Sequence, residues 1–444
     1  MRRHSGEGAA STRLAGRRRP ARLMSAACLA LMLLPSAGCG DIVSLKQSNP
    51  GQIDASTFYI PANAQLLVNG TIADFECAYI RYVAGSALAG DELANSSGAA
   101  VGFEYDARRL QPTSPYVQGC TSGAGSPGFY TGLSTARADA DTVLSKFEGW
   151  TDAEVPNRTR LMGQLAAYGG YSLILLGEAM CSAAINLSPV MTPAQLFAEA
   201  KLRFDKAITL ATSANDATTL NFARLGRART LVNLGDAAAA ALDAAPIPSS
   251  FVVDMSTDAV NPRRQNMVFV QTSQTFVATV DTSFRGLTLG GAPDPRVRVS
   301  NTGRTGANSL VVWTPDKYPA ITTPIPVAKY AEAQLIIAEA RIAAGDLAGA
   351  ATAINAARSS GGRTGMPAYS AVGQTAEQVT TQLIEERRRE FFLEGHRWQD
   401  IRRFNLPLKP AAGAPYFNGG AYGDFRCFPL PTVEIDNNPN IPKS

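Results

Sequence analysis

The stretch that most constrains the fold is residues 385–404, EERRREFFLEGHRWQDIRRF. On a helix, the four-residue step from Glu385 to Arg389 and the three-residue step from Arg387 to Glu390 would pair opposite charges. Exposed pairs of this kind contribute only ~0.3–0.5 kcal/mol each. The apolar members of the stretch are Phe391, Phe392, Leu393, Trp398 and Ile401. The mixture predicts a structural charge network under an aromatic core; a ligand site and a solvated face are the alternatives.

The amino terminus predicts export. Arginines at positions 17–19 and 22 precede an apolar segment, residues 23–34, which has the length of a secretory signal and is short for a membrane span. The sequence LPSAGC follows and ends at Cys39. Small residues before this cysteine resemble the lipobox of bacterial lipoproteins, which implies cleavage before Cys39 and lipidation of Cys39. An ordinary signal peptide is the alternative.

The positive net charge comes from this leader. The chain of 444 residues has a formal charge of +4, and residues 1–38 contain seven arginines and one acid. The rest is therefore slightly acidic and lacks the basic surface of a nucleic-acid-binding protein. The two histidines, His4 and His396, are the only ones that a histidine-dependent mechanism could use.

Four cysteines would remain after processing and lipidation: Cys77, Cys120, Cys181 and Cys427. An even number in an exported protein favours disulfides, with three possible connectivities. We favour Cys77–Cys120, the pair nearest in sequence, and Cys181–Cys427, which would tie the tail to the helical core. No CxxC motif or nearby histidine has zinc-ligand spacing, so no metal site is predicted.

The patterns predict a signal peptide at 1–38, a lipidated tether at 39–64, and one helical domain at 65–444. Loop-rich insertions are predicted at about 95–128 and 251–326, the second with a few short strands, and a loop-rich tail from 406. The first helix could break near Gly70. Helices are predicted at 65–93, 130–150, 158–180, 192–211, 217–244, 327–343, 347–359 and 376–404.

A repeat is hidden in these helices. Ala223 and Ala333 each precede a Gly-Asp pair, at Gly235 and Gly345, by twelve residues. A third copy, which ends at Gly177, keeps only a seven-residue step from a small residue to a turn glycine. Small residues let helices approach closely and the glycine ends the first helix, which resembles tetratricopeptide-type hairpins. Coincidence in an alanine-rich chain is the alternative.

Together these features resemble the SusD/RagB family of outer-membrane glycan-binding lipoproteins. Residues 329–340 are similar to its Arg-Tyr-x-Glu-x-x-Leu-x-x-Ala-Glu-Ala segment, with Lys329 in the arginine position. Residues 294–297 (DPRV), 428–431 (FPLP) and 438–439 (NP) resemble further family elements. The most specific match is the carboxy-terminal signature: Glu386, Arg387, Glu390, Glu394, Gly395, Arg397, Trp398 and Asp400. The four cysteines and the long leader depart from the family pattern.

The resemblance implies an all-α dominated fold of four tetratricopeptide-like helical hairpins, with long loop insertions and a few short strands. It also implies a lipid-anchored protein that faces the exterior of the outer membrane. Such proteins capture oligosaccharides, or sometimes peptides or other nutrients, and pass them to a SusC-like, TonB-dependent transporter. No cofactor and no nucleic-acid partner are predicted.

Loop aromatics are the candidate ligand-binding residues, because sugar rings stack on exposed aromatic faces while polar groups contact their hydroxyls. The candidates are Tyr105, Tyr116, Trp313, Tyr416 and Tyr422. The alternative for each is that it packs a loop against the helices. The family resemblance fixes no binding residue by motif.

An exported glycoside hydrolase is a less favoured alternative, since it needs two carboxyl groups across a cleft, one with a raised pKa. The candidate pairs are Asp91 with Glu92, and Glu390 with Glu394. The second pair would share one face of an arginine-rich helix, which lowers carboxyl pKa values and makes poor acids. No Gly-x-Ser-x-Gly elbow accompanies His396. The sequence therefore predicts a binding protein without catalytic residues. A scaffold that assembles partners is a further alternative.

Overall fold

The computed structural model describes residues 54–98, 100–120 and 127–443. From Ala55, inside the predicted tether, they form one compact unit, whereas the predicted signal peptide and Cys39 lie outside the described residues. The helices are α1 Ala55–Phe58, α2 Ala64–Ala89, α3 Ala100–Asp106, α4 Tyr130–Glu148, α5 Arg158–Ala179, α6 Pro193–Ser213, α7 Ala217–Asn233, α8 Ala237–Ala244, α9 Met267–Phe269, α10 Tyr330–Ala343, α11 Leu347–Arg358, α12 Ala376–Glu390, α13 Arg397–Arg403 and α14 Thr432–Asn437.

The strands are few and short. They are β1 Leu93–Asn95, β2 Val252–Met255, β3 Ala278–Val280, β4 Thr288–Leu289, β5 Ala292–Pro293, β6 Val299–Thr305, β7 Val311–Pro315 and β8 Ile325–Lys329. In the described part of the chain they form four antiparallel pairs: β1–β3, β2–β8, β4–β5 and β6–β7. The β1–β3 pair joins the first loop insertion to the second, with Leu93 opposite Val280.

Helices α4 to α8 and α10 to α12 pack each against the next in chain order, with α8 against α10. We call these helices, together with α2 and α13, the helical framework. The predicted all-α dominated fold of helical hairpins is confirmed. The Thr192 hydroxyl caps α6 by accepting from Gln195 N, and Pro193 follows at the first helical position, as the sequence predicts.

The Gly-Asp pairs of the sequence repeat form the turns between paired helices. Gly235 follows α7 with a φ of 85°, and Gly345 follows α10 with a φ of 76°. The next residues, Asp236 and Asp346, cap α8 and α11 by accepting backbone N–H groups three residues on. One dipeptide thus ends one helix and starts the next.

The interpretation of Gly177 as the turn glycine of a third repeat copy is wrong. Gly177 lies inside α5, which continues to Ala179, so it is no turn glycine. A Cβ on Gly177 would lie 2.5 Å from Phe197 Cε1, and one on Gly170 would lie 2.7 Å from Phe204 Cζ. These glycines instead let α5 and α6 pack closely.

Several predicted boundaries also change. Segment 217–244 divides into α7 and α8, and segment 327–343 begins with the end of β8. Segment 376–404 divides into α12 and α13, because Leu393 and Gly395 adopt left-handed conformations with φ values of 58° and 77°. Helix α2 continues unbroken through Gly70, and the predicted loop 95–128 contains α3.

The core is organised around α2 and the returning tail. Phe75, Tyr79 and Tyr82 of α2 are fully buried. Phe428 from the tail is also fully buried, and its ring centroid lies 5.0 Å from that of Phe129 and 5.6 Å from that of Trp398. The tail is therefore part of the core and no loose appendage.

Candidate ligand-binding face

The carboxy-terminal signature forms a buried ion-pair network, in accordance with the structural interpretation. Arg387 Nη2 lies 2.8 Å from Asp400 Oδ1, and Arg397 Nε lies 2.8 Å from Asp91 Oδ1. The expected pairing of Arg387 with Glu390 does not form, because α13 folds back and brings Asp400 to the guanidinium. The expected exposed pair does form, with Arg389 Nε 2.7 Å from Glu385 Oε1.

The two glutamates of the hydrolase alternative do not share a helix. Glu390 ends α12, whereas Glu394 follows in the turn before α13, and Lys329 Nζ lies 3.1 Å from Glu390 Oε1 and 2.8 Å from Glu394 Oε1. Burial opposes the charge of Glu394, but Lys317 and Lys329 outweigh it and hold the pKa of Glu394 below its usual value. A general acid needs the opposite shift.

The other proposed carboxyl pair is sealed in the interior. Asp91 is occupied by Arg397, and Glu92 is buried with Oε1 accepting from Leu393 N at 2.7 Å. His396 is buried and stacked on Phe391, with ring centroids 4.2 Å apart. Burial and then the charge of Arg229 hold the pKa of His396 well below its usual value. Asp91, Glu92 and His396 are therefore held in the interior. Glu390 and Glu394 line an open pocket of about 310 Å³, but they share it with Lys317 and Lys329.

Two predicted ligand-binding residues, Tyr105 and Tyr116, are corrected by the structure. Both are fully buried, and their rings pack around Phe428. Their hydroxyl groups donate to backbone carbonyls, Tyr105 to Pro127 and Tyr116 to Pro429. They have no free face for a sugar and pack a loop against the core, which is the alternative stated for them above.

Tyr416 and Tyr422 come together on one loop. Their ring centroids are 5.0 Å apart, and Tyr416 also lies 5.1 Å from Phe103 and 4.7 Å from Phe417. Tyr416 itself is buried and anchored, since its hydroxyl donates to Asp106 Oδ2 at 3.0 Å. Tyr422 is half-buried and the Phe417 side chain is 39% exposed. Tyr416 is thus the support, and its neighbours carry the accessible rings.

The second insertion adjoins this cluster through β1. Asn95 donates from Nδ2 to the Tyr416 hydroxyl at 3.2 Å, and the following residue, Ser96, binds the backbone of Phe276 and Val277. Burial raises the pKa of Asp106 to about 7, although the Asn95 N–H and the Tyr416 hydroxyl donate to it. Burial thus favours the neutral form of this carboxyl group beneath the rings.

Trp313 lies on β7 and is linked to β3, the strand that pairs with β1. The residue is half-buried, its backbone N–H donates to Thr279 Oγ1, and the guanidinium of Arg285 lies 5.4 Å from its ring centroid. Arg304, on the neighbouring strand β6, lies 4.1 Å above the Phe276 ring. The surface that we call the loop face consists of Phe103, Arg109, Phe276, Arg304, Trp313, Tyr416, Phe417 and Tyr422.

Comparison with known proteins assigns the fold. The SusD family model matches residues 255–443, the part of the chain with both the DPRV motif and the carboxy-terminal signature. Over these residues the chain is similar to the SusD family. No curated protein sequence matches it.

Solved structures of the SusD superfamily have the same fold across the described chain. A protein from Bacteroides vulgatus has a TM-score of 0.64 at 17% identity, covering 86% of this chain and 98% of its own. One from Parabacteroides distasonis has a TM-score of 0.65 at 11% identity, covering 88% and 99%. A SusD-like carbohydrate-binding protein from B. vulgatus has a TM-score of 0.58 at 16% identity, covering 80% and 86%.

Sequence reasoning missed five members of the loop face. They are Phe103, Arg109, Phe276, Arg304 and Phe417. Phe417 is next to Tyr416 in sequence, and neighbouring loop aromatics were a usable signal. No sequence signal marked Phe276 and Arg304. They come together only when β6 pairs with β7 and Ser96 holds the backbone of Phe276.

Both disulfides of the described residues join loops to the helical framework. They join Cys77 to Cys120 and Cys181 to Cys427, which is the pairing that the sequence favoured. The second precedes Phe428 and fixes the tail that carries Tyr416 and Tyr422. Residues 54–98, 100–120 and 127–443 contain no group of three His, Cys, Asp or Glu side chains that could hold a metal, and no helix there has the length and apolarity of a membrane span.

Proposed function

We propose that this protein is a SusD/RagB-type, surface-exposed outer-membrane lipoprotein that binds oligosaccharides on the loop face and delivers them to a TonB-dependent transporter. The observation that carries the binding proposal is the group of accessible rings around Tyr416. The match to the SusD family model supports it, and one solved structure of the same fold is a SusD-like carbohydrate-binding protein.

The loop face has the properties that sugar binding needs. The rings of Phe417, Tyr422 and Trp313 offer apolar surfaces to the C–H faces of sugar rings. Tyr416 is held by Asp106 and Asn95, so the support beneath these rings is ordered before a ligand arrives. A preorganised surface loses little conformational entropy on binding, which leaves more of the contact energy as affinity.

Calorimetry of the full-length protein against a panel of neutral and acidic oligosaccharides tests this proposal. The double variant Phe417→Ala, Tyr422→Ala should weaken binding about 10-fold, because each lost aromatic contact is worth about 0.5–1.5 kcal/mol. Phe404→Ala is the control, since Phe404, like Tyr422, is half-buried with an arginine over its ring but lies at the end of α13. Equal loss in the control and the double variant, or binding of peptides alone, would count against the proposal.

The membrane anchor is proposed from the sequence that ends at Cys39. Cys39→Ala should abolish labelling of the protein by a radioactive fatty acid and release it from the membrane fraction. A variant that still labels and still sediments with membranes would contradict lipidation at this cysteine. Protease treatment of intact cells tests whether the anchored protein faces the exterior.

The transporter partnership is tested separately from binding. The protein purified from outer membranes in a mild detergent should bring a TonB-dependent transporter with it. Recovery of the protein alone in several detergents, with its anchor intact, would contradict the partnership without affecting the sugar-binding proposal.

A further inference from the structure

Arginines in the helical framework are mostly neutralised by carboxylates. Arg229 Nε donates to Glu178 Oε1 at 2.8 Å, and Arg403 holds both oxygens of Glu339 at 2.7 and 2.9 Å. The charge and the N–H groups of these arginines are satisfied inside the fold. They are not available to a ligand.

The arginines of the loop face are placed differently. Arg304 is exposed and lies 4.1 Å above Phe276, and Arg109 lies 5.7 Å above Phe103 with its guanidinium against Gly420. Within the described residues, neither side chain has a hydrogen bond or ion pair. A guanidinium that lies over a ring keeps its N–H groups pointing outward from the guanidinium edge.

Two other arginines near this surface have a structural role and serve as an internal contrast. Arg108 lies over Tyr422, and Arg285 lies over Trp313. Arg108 donates to the backbone oxygens of Gly423, Lys409 and Pro410, and Arg285 donates to Val280 O at 2.9 and 2.7 Å. They hold loops together, whereas Arg109 and Arg304 do not.

Nearby acidic residues in the described segments do not neutralise this pair. Asp106 accepts from Asn95 and Tyr416, and no aspartate or glutamate of the described segments forms an ion pair with Arg109 or Arg304. Two guanidinium groups thus retain unpaired positive charge beside accessible rings.

The backbone beneath Arg304 is also strained. Phe276 has a φ of 55°, a left-handed conformation that a bulky side chain rarely adopts. Ser96 holds it there, donating from Oγ to Phe276 O at 2.9 Å and from its N–H to Val277 O at 3.0 Å. Strain of about 1–3 kcal/mol persists only where the surroundings enforce it, and it is common at ligand sites. The ring of this strained residue lies beneath the Arg304 guanidinium, with its centroid 4.1 Å away.

We propose that the loop face selects acidic oligosaccharides, with Arg109 and Arg304 binding carboxylate or sulfate groups of sugars that stack on its aromatic rings. This inference rests on the proposed function and narrows its ligand class. Guanidinium groups bind planar carboxylates through paired N–H···O bonds, and sulfate oxygens accept from the same edge. Uronic acids and sulfate esters share this chemistry, so the test separates them.

The test is calorimetry of the full-length protein with three oligosaccharides of equal length: a neutral glucan, a polyuronate and a sulfated glycan. Arg304→Gln and Arg109→Gln should each weaken binding of the preferred acidic ligand about 10-fold, because a charged hydrogen-bond partner is lost. Arg304→Lys should recover part of the affinity, since the charge remains but the paired donors do not. Thermal unfolding of each variant checks that the fold is retained.

Arg224→Gln is the matched control. Arg224 is half-buried on α7 and, among the described residues, its side chain has no hydrogen bond or ion pair. Tighter binding of the polyuronate or the sulfated glycan, lost in the loop-face variants and kept in the control, supports the inference and identifies the acidic group.

Three outcomes overturn it. If the neutral glucan binds as well as the acidic ligands and neither arginine variant changes its affinity, selection of acidic sugars is wrong while sugar binding stands. If no oligosaccharide binds, the proposed function fails and this inference fails with it. Equal weakening by Arg224→Gln would indicate nonspecific electrostatic attraction, which also overturns the inference.

Discussion

The helical framework and the loop face use the same residue types for opposite purposes. In the framework, Arg229 lies between Glu178 and Glu332 with a side chain only 6% exposed. On the loop face, Arg304 lies over an aromatic ring and is exposed to solvent. A charge-rich sequence by itself therefore does not indicate a functional site. What distinguishes the two regions is whether each charge already has a partner.

Buried pairs of this kind contribute little net stability, because desolvation of both ions offsets their attraction. Removing one partner is costly, however, since the other is left buried and charged. The framework network thus penalises any arrangement of α12 and α13 that misplaces a single arginine. Arg109 and Arg304 of the loop face are under no such constraint, because neither takes part in an ion pair within the described residues.

The largest effect should come from breaking a framework pair. Arg229→Met should lower the free energy of unfolding by about 3–5 kcal/mol, because Glu178 and Glu332 are left without their cation. Urea denaturation measures the change. Arg341→Met is the control: its pair with Asp346 is exposed, so it should change stability by about 1 kcal/mol or less. Similar losses in both variants would contradict the difference in burial.

Glu92 is a buried carboxyl group of the interior without a cationic partner. No lysine or arginine in the described part of the chain lies within ion-pair distance of it. Burial raises its pKa from 4.5 to about 8, despite the hydrogen bond from Leu393 N. The folded protein therefore binds a proton that the unfolded chain has released between these pH values. Its contribution to stability is complete below pH ~4.5 and is lost as the pH rises through about 8.

Glu92→Gln should remove this dependence, because glutamine keeps the acceptor for Leu393 N and has no charge to bury. Between pH 5 and 8, the stability of the variant should fall less steeply than that of the parent, by up to about 1.4 kcal/mol per pH unit. Urea denaturation at several pH values measures both slopes. The raised pKa values of Glu332 and Asp106 act in both proteins, so the difference isolates Glu92. Parallel curves would show that Glu92 is ionised in the fold.

The helical framework and the loop face also differ in how well the sequence predicts them. The framework repeats local rules: Gly235-Asp236 ends one helix and caps the next, and Thr375 with Gln378 forms a capping box at the start of α12. Spacing along the chain is enough to find such features. The partners of the buried charges were not predictable, because Arg397 meets Asp91 across most of the chain.

The loop face has no period that could reveal it. Tyr105 and Tyr116 lie in a Gly- and Pro-rich segment like Tyr422 does, yet they are core residues because Phe428 returns from the tail and packs against them. Burial of a loop aromatic depends on contacts with residues hundreds of positions away. Composition could therefore identify candidate aromatic residues. It could not separate the buried rings from the rings that are accessible to a ligand.

A smaller effect tests the close packing of the framework helices. Gly226→Ala should destabilise the protein by about 1–3 kcal/mol, because the new Cβ would lie 2.4 Å from Phe204 Cε1. Gly70→Ala is the same change in α2, where nothing lies within 4 Å of the new Cβ. It should stabilise the helix by about 0.5–1 kcal/mol. Thermal denaturation of both variants gives the signs, and destabilisation by both would mean that α2 is not a regular helix at Gly70.

The smallest effect should come from the loop face. Arg304→Gln removes an exposed guanidinium whose contact in the fold is the Phe276 ring, so the free energy of unfolding should change by about 0.5 kcal/mol or less. Urea denaturation beside Arg229→Met makes the comparison direct. A loss of several kcal/mol would mean that Arg304 stabilises the fold as strongly as Arg229 does. A near-zero change in stability, together with weakened binding of an acidic oligosaccharide, would show that Arg304 serves ligand binding and does not stabilise the fold.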